Sequence, residues 1–319
     1  MPIIETKYIG PPYHLINGHL ETIIPSVFNS VDDVHYQREQ LELTDGDFLD
    51  LDWVKSNNDK LVILSHGMEG DTNRHYMKRS AKFFQRNGWD VLAWNNRGCS
   101  GRINRLVRSY HHGTTDDISA VVNHALNHQV YKSIVLIGFS MGGSMVSKYL
   151  SIADQLNERV KGGVVFSVSC DLHETILKLG ETIGLYKNKF MDKLKQKLLE
   201  KQKVHMELKD LDIASVNSFE DYHKIFTLPY QGYESMEDFY KDASCQHFLP
   251  DLQRPLLMVN ALNDPLLGQN CYPRQLAEQH PLLYLETPKR GGHLGFTTRN
   301  DQESYMEASA KSFIEHYLI

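Results

Sequence analysis

The sequence predicts an α/β fold: a doubly wound, mostly parallel sheet with an N-terminal antiparallel hairpin and an inserted helical lid. Three observations carry the prediction. From Lys60 onward, short apolar runs bounded by turn residues alternate with helical patterns, the order that builds a parallel sheet covered by helices. Runs such as VILS and IVLIGF are almost wholly apolar, as strands buried on both faces must be. One stretch, 171–244, breaks the rhythm with helical patterns and aromatic residues and no strong buried-strand run. A length of 319 residues allows one α/β domain or two. The spacing of the candidate site residues decides for a single domain over 1–319, with the lid inserted at about 171–244.

The elements follow in order. The first thirty residues, with Pro11-Pro12, Gly18 and Pro25, read as an irregular arm packed across the body. Alternating apolar positions in QREQLELT and FLDLDWV flank Asp45-Gly46-Asp47, which predicts a hairpin. KLVILSH leads to a helix near 76–86. WDVLAWN leads to a helix near 116–128, entered through Thr114 or Thr115 as N-cap. SIVLIGF precedes a helix near 141–153, and GGVVFSVSC ends at Cys170. After the insertion come PLLMVNA, a short helix near 272–279, the strand LLYLE and a last helix at about 302–316.

Chemistry enters at Gly138-Phe139-Ser140-Met141-Gly142, followed by Gly143, where IVLIGF ends and MGGSMVSKYL begins. A tight strand–turn–helix forces the serine into strained backbone, and the flanking glycines remove side chains that would clash there. Ser140 Oγ then stands above the sheet at a helix N-terminus, with the Met141 N–H aimed at an oxyanion formed beside it. A serine at its ordinary pKa needs a base, and the base needs an orienting carboxylate. In this arrangement the chain order is serine, acid, histidine, each after a later strand. Asp264 follows PLLMVNA, and His293 follows LLYLE on a loop freed by Gly291-Gly292. Asp251 precedes its strand, His280 lies before LLYLE, and Glu286 is too close to His293, so these are the weaker candidates. The loop after KLVILS, His66-Gly67-Met68-Glu69-Gly70, supplies the second oxyanion donor, the Met68 N–H, with His66 bracing the loop. Because Ser140 precedes the insertion and Asp264 and His293 follow it, one sheet has to span the gap.

Other classes fall away on composition. With 34 basic and 40 acidic residues the formal charge is −6, which argues against a nucleic-acid partner. No basic segment followed by an apolar one opens the chain, and no apolar run approaches the ~20 residues of a membrane helix. The expectation is a cytoplasmic protein with reduced thiols at Cys99, Cys170, Cys245 and Cys271. CxxC and HExxH are both absent; Leu177 stands where the second histidine after His173-Glu174 would fall. His111-His112 with Asp116-Asp117 reads as a loop entering a helix, so neither metal nor cofactor is expected. Arg97 reads as a tie between loops in preference to a contact with a substrate anion, and His19 as part of the packed arm. Residues 187–209 reverse the overall charge, with eight Lys against Asp192, Glu200 and Glu207. That is a solvated helix face, or a surface for transient contact with an anionic membrane or an acidic substrate.

The same strings carry a family resemblance. G-x-S-x-G, Asp and His in this order resemble the α/β-hydrolase superfamily. GHLETIIPS (18–26), HGMEG with NRHY (73–76), NNRGCSG (95–101) and YHHGTTDD (110–117) narrow the resemblance, together with GFSMGG, NALNDP and GGHLGF. They are similar to the YheT-like branch, relatives of the abhydrolase-type lipases and of the yeast medium-chain ester synthases, from about residue 10 to the C-terminus. The resemblance implies an esterase or lipase-like acyl hydrolase with Ser140, Asp264 and His293 as triad. Relatives often carry Leu where Met68 and Met141 stand, a change that leaves the backbone donors intact. The expected reaction is hydrolysis of a small-molecule carboxylic ester, short or medium in its acyl chain, through an acyl–serine intermediate. The aromatic and methionine-bearing lid (Met191, Met206, Met236) suits apolar groups. The same triad also serves a membrane-associated lipase or acyltransferase, an amidase, a peptidase or a thioesterase. A non-catalytic binding module would be missing a triad member, and none is missing.

Overall fold

Nine strands join in one sheet in a computed structural model that describes residues 3–182, 184–299 and 304–319. The chain begins with β1 (Ile3–Ile4), α1 (Gly18–Phe28), the hairpin β2 (Gln37–Glu42) and β3 (Phe48–Val54), and β4 (Lys60–Ser65). It continues through α2 (His75–Arg86), β5 (Asp90–Asn95), α3 (Asp116–His128), β6 (Ser133–Phe139), α4 (Met141–Ile152) and β7 (Val160–Phe166). Between β7 and the next strand lie α5 (Leu172–Glu181), α6 (Leu185–Val204), α7 (Phe219–Tyr222), α8 (Leu228–Gln231) and α9 (Met236–Ala243). The chain ends with β8 (Leu256–Val259), α10 (Arg274–Gln279), β9 (Leu283–Glu286) and α11 (Tyr305–Phe313).

The strand order is β1-β9-β8-β7-β6-β4-β5-β3-β2. β1 through β5 in that order run parallel, and β3 joins β5 antiparallel, with β2 folded back on β3 as the expected hairpin. Alternation within each strand feeds two cores. Val62, Leu64, Val135 and Ile137 pack with Met77 and Phe84 of α2 and Phe313 of α11. Leu61, Ile63, Ile134 and Leu136 pack with Val121 and Val122 of α3 and Met145 and Val146 of α4 on the other face. Each such side chain contributes about 1.5–3 kcal/mol by leaving water, and burial on both faces explains the uninterrupted apolar runs.

The N-terminal arm departs from expectation. Residues 18–28 form a helix, and Ile3–Ile4 pair with β9 at the far edge of the sheet. Gly18 and Pro25, which read as breakers, are tolerated. Gly18 is the first helical residue behind an Asn17 cap whose Oδ1 accepts from the Leu20 N–H at 3.0 Å. Pro25 stands in the second half of the helix, where its missing N–H costs one hydrogen bond. At α3, Thr115 occupies the cap position without a side-chain cap bond, while Thr114 Oγ1 accepts from the His111 N–H. The C-terminal helix starts at Tyr305 and widens over Ile314–Leu318; Gln302 and Glu303, expected within it, lie outside the described residues.

The insertion has a core of its own, with Leu179, Leu198, Leu208, Phe219 and Phe226 packed together. Its basic helix is not the fully solvated face expected. Lys197 and Lys201 of α6 are buried and point their ammonium groups into the protein. All four cysteines are free thiols. Among the described residues no helix is long and apolar enough to cross a membrane.

Candidate active site

Strand β6 runs straight into α4 through Ser140, whose backbone sits at φ 54°, ψ −120°. This is the strained turn expected of a serine lifted above a sheet. The turn fits only because its glycines lack side chains: a Cβ on Gly142 would lie 2.3 Å from the Ser65 carbonyl oxygen and 2.6 Å from that of His66. The helix N-terminus beside Ser140 presents N–H groups without intrahelical partners, Met141 first among them.

His293 lies between Ser140 and Asp264. Its Nε2 is 2.9 Å from Ser140 Oγ and its Nδ1 is 2.8 Å from Asp264 Oδ2. Asp264 is an acceptor only, so Nδ1 carries the proton and Nε2 is free to accept from the Ser140 hydroxyl. The Asp264 side chain is fully buried and its other oxygen accepts the Leu266 N–H at 2.9 Å. The structure thus brings Ser140, Asp264 and His293 within hydrogen-bond reach of one another across 153 and 29 residues of chain.

The loop after β4 passes directly beside the serine, with a Cβ on Gly67 falling 3.1 Å from Ser140 Cβ. Met68 and Ser140 line the same two cavities. His66 is fully buried; its Nδ1 donates to Gly67 O at 2.8 Å and its Nε2 accepts the Asn96 N–H at 3.1 Å. Burial pushes His66 down to about 4, so it is a neutral brace for this loop. Arg97 is buried with both forks engaged, to Asp117 on one side and to Asp45 and Asp47 on the other, so it ties loops together. Glu286 is held by Tyr305 and Ser309, Asp251 is exposed, and His280 caps the turn before β9, so none of the three joins the site. His19 is exposed and stacks on Tyr186.

The arm supplies residues that spacing did not reveal. Glu21 of α1 is buried and accepts from Arg290 Nε at 2.8 Å, the Gly291 N–H at 2.6 Å and Asn263 Nδ2 at 3.0 Å. Thr22 Oγ1 accepts the His293 N–H at 2.8 Å. One helix therefore grips the loops of both the acid and the base. The string GHLETIIP was the available signal, since Glu21 and Thr22 are its polar centre.

Two cavities meet at Ser140 and His293. The inner one is narrow, 60 Å³, and is lined by Leu172, Ile176, Leu179, Phe219 and Leu266. His112 and His223 also line it; burial pushes both down to about 3, so they are uncharged. The outer cavity, 370 Å³, runs past Ile23 and Val27 of α1 to Arg74, Lys189 and Lys193. His111-His112 and Asp116-Asp117 do not converge: Asp117 pairs with Arg97 and Asp116 with Arg108. A different group, Glu39, His124 and His128, has metal-type ligand atoms within 4.8 Å of one another, but Glu39 is already held by His124 and by the Trp53 N–H.

Comparison with known proteins agrees with this architecture. Residues 60–299 match the family described as the alpha/beta hydrolase fold. The YheT protein of Escherichia coli is 26% identical over 95% of this chain and 91% of its own. The bovine phospholipase ABHD3 is 27% identical over 98% of this chain and 79% of its own. Among solved structures, the Pyrococcus furiosus esterase Pf2001 superposes with a TM-score of 0.60 at 16% identity, covering 99% of each chain.

Proposed function

Because the chain belongs to the alpha/beta hydrolase fold family, we propose that it is a serine hydrolase of carboxylic esters with Ser140, His293 and Asp264 as its catalytic residues. The observation that carries this reading is His293 bridging the serine at 2.9 Å and the buried aspartate at 2.8 Å. His293 Nε2 takes the Ser140 proton as Oγ attacks the ester carbon, and Asp264 stabilises the imidazolium that forms. The N–H groups of Met68 and Met141 receive the carbonyl oxygen as it becomes an oxyanion. Collapse of that intermediate breaks the C–O bond of the ester, and His293 returns the proton to the departing alcohol. Water then attacks the acyl–Ser140 carbonyl with His293 again as base; the bond from the acyl carbon to Ser140 Oγ breaks, His293 returns the proton to Oγ, and the acid leaves. The inner cavity, mostly apolar and with Glu69 and Lys197 of its lining neutralised in an ion pair, suits a slim, short- or medium-length acyl chain, and the wider outer cavity the alcohol. Helices α5–α7 wall the inner cavity and thus act as a lid on a single catalytic domain.

Treatment with a fluorophosphonate tests the core of this. A single adduct on Ser140, absent from Ser140→Ala, is expected; an adduct elsewhere, or none, refutes it. A chain-length series of p-nitrophenyl esters, set beside matched amides and thioesters, then reads the acyl preference and the bond cleaved.

A second reading, a lipase acting on esters held at a lipid surface, is favoured by exposed apolar residues on α1: Val27, 60% exposed, borders the outer cavity, and Phe28, next in the chain, is 77% exposed. The relative ABHD3, named a phospholipase, is in line with it. Co-sedimentation with vesicles that is lost in Phe28→Ser would support this reading, and no binding by the wild-type protein would refute it.

A further inference from the structure

Glu69 follows Met68 directly and is held from every side. Its φ is +51°, a left-handed conformation that costs a non-glycine residue energy and persists only where the surroundings over-determine it. Its N–H donates to Tyr110 Oη at 2.9 Å. Its carbonyl oxygen accepts from Arg74 Nη2 at 2.9 Å and from Lys193 Nζ at 3.0 Å. Its carboxylate accepts from Lys197 Nζ at 2.7 Å and from the Tyr110 hydroxyl, in an ion pair with both side chains nearly buried. Lys193 and Lys197 stand four residues apart, on one face of α6. The insertion helix therefore grips both the main chain and the side chain of the residue next to the proposed oxyanion donor.

We propose that Lys193 and Lys197 are positioning residues, through which the inserted lid fixes the Met68 N–H in its oxyanion-binding position by holding Glu69. The inference rests on the hydrolase reading above for its catalytic consequence, and on the geometry alone for the coupling. It assigns a purpose to the strained Glu69 backbone and to two of the inward lysines. It also makes hydrolysis depend on the lid being seated, since a lifted α6 would release Glu69 to relax.

Three variants test it: Lys197→Met, Lys193→Met and, as control, Lys195→Met on the same helix. An oxyanion donor acts only in the transition state, so its displacement lowers kcat and leaves KM nearly unchanged. Lys197→Met is expected to lose about 10- to 100-fold in kcat, Lys193→Met a smaller part, and Lys195→Met nothing. Lys197→Arg, which keeps a cation in reach of Glu69, is expected to recover part of the loss. Amide exchange across Met68–Gly70 supplies a readout independent of chemistry: it should quicken in Lys197→Met and stay slow in the control. Unchanged exchange and kcat within twofold of wild type in both Lys193→Met and Lys197→Met would overturn the proposal. Faster exchange in a protein whose Ser140 is inert to fluorophosphonate would instead leave the coupling standing and sink the hydrolase reading.

Discussion

Raising the pH should stabilise this protein through one buried lysine. Lys201 is fully buried, and its ammonium donates to Asn104 Oδ1 at 2.7 Å and to the carbonyl oxygens of Leu106, Val107 and Arg108 at 2.8, 3.0 and 3.1 Å. All four partners are uncharged. Loss of water pulls its pKa from 10.5 down to about 7, helped by Lys197 and Arg97 and opposed by Asp47. Below pH 7 the lysine is charged in both folded and unfolded chains. Between about 7 and 10.5 the folded state has given up its proton while the unfolded state keeps it, so the unfolded chain binds more protons and stability rises with pH. From pH 6 to pH 9 these two values correspond to a gain of about 2–3 kcal/mol. Urea unfolding of the wild type and of Lys201→Met at pH 6, 7, 8 and 9 reads this, provided the two m-values agree. Subtracting the variant at each pH removes the contributions of groups common to both. The wild-type advantage should grow by about 2–3 kcal/mol across the range. A difference that stays flat would refute the reasoning, because it would mean that four oxygens replace the lost hydration and keep the ammonium charged up to pH 9.

Two further substitutions probe the site's supports. Glu21→Gln removes the charge that holds Arg290 and weakens the acceptor for the Gly291 N–H, so labelling of Ser140 by a fluorophosphonate should slow by about tenfold as the His293 loop loosens; a wild-type rate would show that the loop stands without α1. Gly142→Ala drives a methyl to 2.3 Å from the Ser65 carbonyl oxygen, which should lower stability by about 1–3 kcal/mol or more and abolish labelling, with thermal unfolding and adduct mass as the measurements.

Much of the sheet was legible because a strand buried on both faces has a local signature. SIVLIGF and KLVILS are central strands β6 and β4, and apolar residues on both their faces meet a helix layer. Ser140, Asp264 and His293 were legible for a related reason: each sits just past a recognisable strand, and a parallel sheet brings its strand ends to one edge. The supports were not legible. Glu21 meets Gly291 across 270 residues and Lys197 meets Glu69 across 128, and periodicity holds no record of such partners. Helix α1 was hidden by Pro25 and Gly18, whose usual meaning is overridden by the Asn17 cap and by packing against the Asn263 and Gly292 loops. Local rules located the proposed reacting groups, while tertiary contacts alone explain what keeps them in place.

The basic segment shows how burial changes what a charge count means. Eight lysines and three acids over 187–209 suggest a surface attracted to anionic lipid. Two of those lysines are buried, and Lys193, which is half-buried, is spent on the Glu69 carbonyl. The other members of the segment, all exposed or half-buried, are Lys187, Lys189, Lys195, Lys203 and Lys209 against Asp192, Glu200 and Glu207, five positive charges against three negative. At about 1 kcal/mol for each basic residue near an anionic surface, that small excess leaves much less electrostatic attraction than the whole count of eight lysines against three acids suggests. The inward lysines serve a different need. A helical insertion seated over the ends of a parallel sheet faces loops rich in carbonyl oxygens, and a long side chain tipped with three donors satisfies several at once, as Lys201 does. Any hold on lipid would therefore come from exposed apolar residues such as Phe28 and persist at high salt, because burying apolar surface is not screened by ions while attraction between exposed charges is.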